Sequence, residues 1–181
     1  MNEEYLQWAR EAGFTAAAPL NMAALAPQPA VRAMCASDRC HAYGKNWTCP
    51  PVCGTLDECA ARMARYADGI LLQTQGTLED EFDYPGMQAL EKAHLQALHR
   101  FADRLRGREP DALVLGAGGC RVCETCAYPD PCRFPGRACS SMEGYGLVVS
   151  DVCRASGIPY YYGRGTLCYS ACCLFGRSDA K

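Results

Sequence analysis

The sequence has little net charge and no marked excess of either sign. Its 18 Lys and Arg residues oppose 20 Asp and Glu residues, which leaves a formal charge of −2. This balance excludes an acidic disordered protein and a strongly basic nucleic-acid-binding protein. A Gly-x-Ser-x-Gly motif, a phosphate-binding loop and a dinucleotide fingerprint are also missing, since the glycine-rich segment 116–119 lacks the required spacing. The sequence therefore lacks the signatures of common hydrolases and nucleotide-binding enzymes.

Signals for export and for a membrane span are absent as well. The first residues lack the basic region and the unbroken apolar core of a secretory signal. The longest uncharged stretch, residues 14–31, contains three prolines and does not suit a span, which must satisfy its backbone hydrogen bonds internally. We therefore expect a cytoplasmic protein with no membrane association. In that reducing compartment thiols stay reduced or bind metal.

Cysteine, in contrast, is abundant, with 14 residues in a chain of 181. Such a density approaches that of disulfide scaffolds, but those are short secreted chains. A chain of this length is long enough to bury a core of its own, and we predict one Cys-rich metal-binding domain over residues 1–181. The cysteines are therefore the main guide to function.

Short strands alternate with helices along the sequence. Thr55 and Glu58 have the spacing of a capping box at the start of a helix. The pattern predicts an α/β or α+β fold, a compact sandwich of a small mixed sheet with helices that carries two Cys-rich metal-binding loops. Besides a helix near the N-terminus and one after Thr55, the predicted helices are 88–106 and, with interruptions, 141–156; the predicted strands are 16–25, 70–74, 112–115, 158–162 and 166–175.

The strongest motif is a run of three cysteines at two-residue gaps, followed by a fourth, which we call the second block: Cys120, Cys123, Cys126 and Cys132. Thiolates at such gaps can wrap one side of a [4Fe-4S] cluster, and bacterial ferredoxins use the same two opening gaps. Structural zinc more often takes two separated Cys-x-x-Cys pairs. The second block therefore predicts an iron–sulfur site, with Zn²⁺ as the alternative.

A further four cysteines lie within 19 residues and form the first block: Cys35, Cys40, Cys49 and Cys53. Their spacing matches no standard motif, yet Gly44 and the Pro50-Pro51 pair permit tight turns that would let them converge on one metal. Cys53 is the least certain member of this set. His41 is an alternative ligand, although a hydrogen-bonded loop histidine is the simpler interpretation.

The six remaining cysteines have simpler interpretations. Cys59 and Cys153 lie on apolar helix faces and are predicted to be core residues. Cys172 and Cys173 are adjacent in a strand and should face opposite ways, so Cys172 shares a face with Cys168, where a third site is conceivable. Cys139 follows the second block closely enough to serve as a spare ligand. His94 is predicted to pack, hydrogen-bonded, on the apolar side of the long helix.

These motifs, taken in order, resemble those of a prokaryotic family of uncharacterised, predicted metal-binding proteins. The resemblance runs from about residue 31 to residue 157. It rests on the cysteines of both blocks, the Cys-Pro-Pro sequence 49–51, the Cys-Arg-x-Pro sequence 132–135 and the Ser-Met-Glu sequence 141–143. It implies metal binding through both blocks and no established reaction. The ligands that it implies are Cys35, Cys40, Cys49, Cys120, Cys123, Cys126 and Cys132.

Three functions are compatible with these motifs. The first is an iron–sulfur protein with one or two [4Fe-4S] clusters, in electron transfer or an accessory redox role in an anaerobic enzyme system, with a redox protein as partner. The second is a structural or interaction module that holds Zn²⁺. The third is an enzyme in which a three-ligand first block leaves one iron open as a Lewis acid. The sequence leaves the oligomeric state open.

Overall fold

The computed structural model describes residues 3–177, along which helices and strands alternate. The helices are α1 (Glu3–Ala12), α2 (Pro29–Ala36), α3 (Leu56–Met63), α4 (Tyr84–Arg108) and α5 (Val149–Ala155); the strands are β1 (Ala16–Pro19), β2 (Tyr66–Thr77), β3 (Leu113–Gly116), β4 (Ser140–Ser141) and β5 (Thr166–Arg177). Short 3₁₀ helices at Met22–Ala24 and Glu143–Tyr145 complete the regular structure of these residues.

The five strands form one mixed sheet in the order β1-β2-β5-β3-β4. The long strands β2 and β5 are antiparallel at its centre, with Leu71 opposite Cys172. β1 and β3 add antiparallel to these two strands, and β4 pairs parallel with β3 at one edge. The predicted fold class, a small mixed sheet with helices, is confirmed.

Helices cover both faces of the sheet, because the central strands are apolar on both sides. On one face α1 and α4 pack onto β2 and β5, and Phe101 and Leu105 are almost fully buried there. On the other face α3 and α5 pack with the 3₁₀ segment, and Met142 and Tyr145 are buried. Apart from Cys35, which is in α2, the cysteines of both blocks lie in irregular connections outside these two cores.

Two predictions of local structure made from the sequence are confirmed. The Thr55 hydroxyl accepts from the Glu58 backbone N–H, and the Glu58 carboxylate accepts from the Thr55 N–H at 2.7 Å, which makes a complete capping box for α3. On α4, His94 is 1% exposed and shares a hydrogen bond of 3.0 Å with the Thr74 hydroxyl. Within the described residues, no helix is both long and apolar enough to cross a membrane.

Two predicted strands are wrong or too long. Residues 158–162 form no strand and pair with none of the five strands of the sheet. The strand predicted over 16–25 ends at Pro19, where the chain leaves the sheet and enters a 3₁₀ helix. The helix α2, which carries Cys35, was not predicted, because its proline-bounded apolar sequence resembles a loop.

Candidate metal centre

The first block lies in the connection between α2 and α3. Cys35 is in the last turn of α2, and Cys40, Cys49 and Cys53 follow in the irregular loop. Pro29 begins α2, and a proline is tolerated there because the first N–H groups of a helix have no partner within the helix. The helix therefore fixes one thiol, and the loop presents the other three.

Asp38 organises the loop around Cys40. One of its carboxylate oxygens accepts a hydrogen bond from the Tyr43 backbone N–H at 2.9 Å, and the other lies 2.9 Å from Lys45 Nζ. The hydrogen bond to Lys45 holds the pKa of Asp38 below its ordinary value. Asp38 and His41 both adopt positive φ angles, 50° and 56°, which are unfavourable for residues other than glycine. A strained backbone held by such contacts marks this loop as a candidate functional segment.

The thiols of Cys35, Cys40 and Cys49 lie close enough for the charge on one to change the pKa of another. Burial, and then the neighbouring Cys40, raises the pKa of Cys49 to about 11. Burial also raises the pKa of Cys35, and the positive charge of Arg32 opposes this change. Thiols with a high pKa keep their protons until a metal ion displaces them. His41, the alternative ligand, is exposed.

The four thiols of the second block line one pocket. The chain leaves β3 at Gly116 and turns at Gly118, whose φ of +66° is readily adopted by glycine. It then follows an irregular course to β4. Side chains around the pocket include Cys120, Cys123, Cys126, Cys132, Val122, Phe134 and, from the first block, Trp47. The structure thus gathers at one place the four residues that the spacing of the second block predicted.

Contacts between the two blocks bring them side by side. Trp47 Nε1 donates a hydrogen bond of 2.8 Å to the Asp130 carbonyl, and its ring packs edge-to-face on Tyr128 with centroids 5.1 Å apart. A methyl group added at Gly119 would stand 3.9 Å from the Cys49 sulfur. The thiols of one block are therefore close to those of the other.

Arginines around the second block tie it to α4. Arg121 lies 3.5 Å from a Glu91 carboxylate oxygen, and Arg137 lies 3.0 Å from that of Asp103. Arg133 donates to a backbone carbonyl within the block itself, that of Thr125. These exposed ion pairs contribute less than about 1 kcal/mol each. Of these three arginines, Arg133 also lines the pocket of the second block.

Cys139, the predicted spare ligand, lies between the second block and the sheet. Its sulfur is 3.6 Å from where a Cβ at Gly116 would stand. Burial raises its pKa to about 11, and the thiol of Cys120 adds to this rise. Cys139 is thus near the second block but packs against the apolar core on the α4 face.

Cys53, alone among the thiols of the first block, is buried; its thiol donates to the Gly144 carbonyl at 3.7 Å and lies beside Cys59 of α3. The hydrogen bond from Cys53 lowers the pKa of Cys59, and Arg32 adds to this effect; the same contact raises the pKa of Cys53. Arg32 Nη2 lies 3.5 Å from Cys59 Sγ. Sequence reasoning missed this pair. The capping box at Thr55 could have predicted this proximity. In such a box the fourth residue of the helix, here Cys59, faces the chain that precedes the cap, which includes Cys53.

Two half-buried charged side chains lie beside Cys35. Arg32 donates to the Gly54 and Gly144 carbonyls at 2.7 and 2.8 Å, and burial raises the pKa of Glu143. Arg32 Nε and Glu143 Oε2 find no hydrogen-bond partner within the described part of the chain. A buried polar atom without a partner is costly, and of these two atoms the Arg32 Nε–H is the donor that could pair with a thiolate of the first block.

The thiols are gathered but do not stand in a finished coordination geometry. Across residues 3–177, no group of three or more His, Cys, Asp or Glu side chains is arranged to hold a metal ion. The assignment of the eight block cysteines as ligands therefore stays a prediction.

The cysteines predicted to be structural lie in the core. Cys59 and Cys153 are fully buried, as the helical pattern predicted. Cys172 and Cys173 pack into the cores on opposite faces of the sheet, which confirms the strand alternation. Cys168 is half-buried and donates to the Tyr160 carbonyl at 3.2 Å.

Comparison with known proteins gives one match. A family model described as "Predicted metal-binding protein (DUF2284)" matches residues 18–175, a span that includes all eight block cysteines. No curated protein and no solved structure matches the chain.

Proposed function

The chain belongs to the DUF2284 family of predicted metal-binding proteins, and we propose that it is an iron–sulfur protein that transfers electrons. Cys120, Cys123, Cys126 and Cys132 would hold a [4Fe-4S] cluster at the second block. Cys35, Cys40 and Cys49 would hold a second cluster at the first block, with Cys53 as the predicted fourth ligand. The clusters would supply one-electron chemistry, and the protein supplies their position and surroundings.

One observation carries the proposal: the four thiols of the second block line one pocket in an irregular loop. Four cysteines are the usual ligand set of a [4Fe-4S] cluster, and two successive two-residue gaps favour a cluster over a single zinc ion. The donor set therefore fits. Apolar side chains such as Val122 and Phe134 would limit the access of water to the bound group.

The surroundings of the first block support a second cluster. The raised pKa values of Cys35 and Cys49 mean that these thiols need compensating positive charge to ionise. Arg32 supplies one such charge, and its unpartnered Nε–H can donate to a thiolate or to a group bound there.

The neighbouring position of the blocks supports electron transfer. Trp47 joins them by a hydrogen bond and a ring contact, so two clusters would be adjacent. The exposed ring of Phe134 and the partly exposed ring of Trp47 lie at the same pocket, where a redox partner would approach. We propose a redox protein of an anaerobic enzyme system as that partner.

The test is iron and acid-labile sulfide analysis of anaerobically purified protein, with electron paramagnetic resonance after reduction. We expect about eight irons and eight sulfides per chain for two clusters, and about half of each in Cys123→Ser. Cys168→Ser is the matched control, because a serine hydroxyl keeps the hydrogen bond to the Tyr160 carbonyl. Colourless protein without sulfide contradicts the proposal, and stoichiometric zinc supports the structural alternative.

The contact of Cys53 with Cys59 favours a second candidate function. If Cys53 stays paired with Cys59, three thiols remain for the first block, and one iron there would keep an open coordination site. An open iron acts as a Lewis acid on a substrate oxygen, which is enzyme chemistry. Unchanged iron and sulfide content in Cys53→Ser supports this function, and loss of about half the iron supports the four-thiolate cluster.

A further inference from the structure

Another pocket is lined by the last turns of α3 and α4 and by the start of β3, and we call it the arginine pocket. Arg62 and Arg106 contribute to it from the two helices, and Tyr145 and Ser140 also line it. Residues of the segment 135–140, which follows the second block, form a further wall. The pocket has a volume of about 330 Å³ and is distinct from the pocket of the second block.

Arg62 is held in place and still has donors to spare. Its Nη1 donates to the Cys53 carbonyl at 3.3 Å and to the Tyr145 hydroxyl, and its guanidinium carbon lies 5.6 Å from the centre of the Tyr145 ring. A guanidinium has five N–H donors, and within residues 3–177 Nε and Nη2 of Arg62 have no hydrogen-bond partner. These remaining donors are therefore available to a ligand.

Arg106 and Tyr145 supply further donors to the same pocket. The guanidinium of Arg106 is partly buried, and no group in the described part of the chain forms a hydrogen bond or an ion pair with it. The Tyr145 hydroxyl accepts the bond from Arg62, and its own hydrogen is donated to no described group. Two fixed side chains and one unpartnered cation thus surround the pocket with N–H and O–H donors.

The arginine pocket carries an excess of positive charge. Among the described residues that line it, Asp111 has the single carboxylate, and that carboxylate lies 3.2 Å from Nη2 of Arg177. A concave surface with charge of one sign attracts ligands of the opposite sign. Two guanidinium groups match the double charge of a phosphate monoester, whose oxygens accept several charge-assisted hydrogen bonds.

We propose that the arginine pocket binds a small molecule through a phosphate group. Arg62 and Arg106 hold the phosphate, and the Tyr145 hydroxyl donates to one of its oxygens. Pockets for small molecules have volumes of about 300–1,000 Å³, so this one has room for an organic group beside the phosphate. Leu113 and Pro135 offer that group an apolar contact. The inference rests on this pocket and does not depend on the proposed clusters.

The experiment is isothermal titration calorimetry of the full chain in a buffer without phosphate or sulfate. The probes are phenyl phosphate, inorganic phosphate and uncharged phenol. We expect one phenyl phosphate to bind per chain, about fivefold more tightly than inorganic phosphate because its ring is buried, and phenol not to bind. Equal affinities for the two phosphates would contradict the organic group and identify inorganic phosphate as the ligand.

Arg106→Gln assigns the binding to the arginine pocket. We expect it to raise the Kd for phenyl phosphate by at least about tenfold, because a charge-assisted hydrogen bond is lost. Arg65→Gln is the matched control, since it removes the same charge from an exposed position just after α3. We expect the control to change the Kd by less than about twofold, because solvent and salt screen an exposed charge.

A measurement on the unaltered chain decides if Arg106→Gln does not fold. Phenylglyoxal modifies arginine side chains and prevents tryptic cleavage after them, so a peptide map follows its reaction at Arg106. We expect saturating phenyl phosphate to slow this reaction by at least about fivefold and to leave the reaction at Arg65 unchanged. Equal protection of both arginines, or of neither, would contradict the proposal.

Two calorimetric results would overturn the proposal. If neither phosphate binds at about 10 mM, the arginines serve only to offset the negative ends of α3 and α4. If Arg106→Gln and Arg65→Gln change the Kd equally, the attraction comes from overall charge and not from the pocket. Iron and sulfide analysis measures neither effect, so failure of the proposed clusters is distinguishable from failure of this site.

Discussion

Trp47 and Asp130, which are 83 residues apart, are joined by a hydrogen bond of 2.8 Å from the indole nitrogen to a backbone carbonyl. This bond connects the first block to the second, and the ring of Trp47 packs on Tyr128 beside it. The two cysteine blocks therefore form one assembly of two loops in contact.

We expect two substitutions of Trp47 to weaken the contact between the two blocks to different extents. Trp47→Phe removes the hydrogen bond and keeps the ring, at a cost of about 1 kcal/mol in the free energy of unfolding. Trp47→Ala also removes the ring contacts and should cost about 3 kcal/mol. Denaturant unfolding and the rate of iron loss to a chelator measure both effects. Equal rates of iron loss in the three proteins would show that the contact does not hold the blocks together.

Arg32 should be needed for stability as well as for its charge. Its guanidinium donates to two backbone carbonyls and a sulfur from one planar group, which a lysine ammonium does not reproduce. We expect Arg32→Lys to lower the free energy of unfolding by about 2 to 3 kcal/mol. Arg39→Lys, at an exposed position in the following loop, is the control and should change it by less than about 0.5 kcal/mol. A similar small effect of both substitutions would contradict the prediction.

His94 should make the protein less stable in mild acid. Burial lowers its pKa to about 4, below the ordinary value of 6.5. Between these two pH values the unfolded chain binds a proton that the folded chain does not, so stability falls as the pH falls. The free energy of unfolding falls by about 3 kcal/mol as the pH falls from 6.5 to 4. Above pH 6.5 the neutral His94 costs no stability of this kind.

The check is the difference in unfolding free energy between the native chain and His94→Gln, measured from pH 7 to pH 4. The amide keeps a hydrogen bond to Thr74 and does not titrate, so the difference should shift in favour of the variant as the pH falls. His41→Asn, at an exposed position with positive φ, is the control, because asparagine tolerates that conformation. A pH-independent difference for His94→Gln would refute the prediction.

Gly146 should be intolerant of a side chain for two reasons. Its φ is +79°, and a Cβ there would stand 2.6 Å from Leu56 Cδ2, while its carbonyl accepts from the Gln28 N–H. We expect Gly146→Ala to destabilise the protein by about 2 to 4 kcal/mol. Gly157→Ala is a matched control, with a φ of +76° and open space, and should cost about 1 kcal/mol. Equal losses would show that crowding at Gly146 has no effect.

The sequence predicted the features that depend on neighbouring residues. The capping box of Thr55 and Glu58 and the opposite facing of Cys172 and Cys173 follow from helix and strand periodicity. The grouping of the second block around one pocket followed from its close spacing. In each case the residues involved lie within one turn, one strand or one loop, so the prediction did not require the tertiary structure.

Features that depend on distant residues were missed. The tyrosine run 160–162 has strand propensity, but a strand also needs a partner in the sheet, and the chain does not bring this run alongside any of the five strands. Helix α2 is held in place by contacts of Arg32 with Gly54 and Gly144, which its own sequence does not reveal. The position of Trp47 on the second block likewise depends on how two remote loops pack.

The connection from β3 to β4, residues 117–139, has a consequence for the edge of the sheet. Parallel neighbouring strands need a long crossover, and a helix usually provides it. Here the crossover is the irregular segment that carries the second block, so few backbone hydrogen bonds stiffen it. A metal group bound by its four thiols would act as the internal brace that a helix normally supplies. We therefore expect the short strand β4 to fray when the metal is removed, and amide exchange at Ser140 and Ser141 would record occupancy of the pocket.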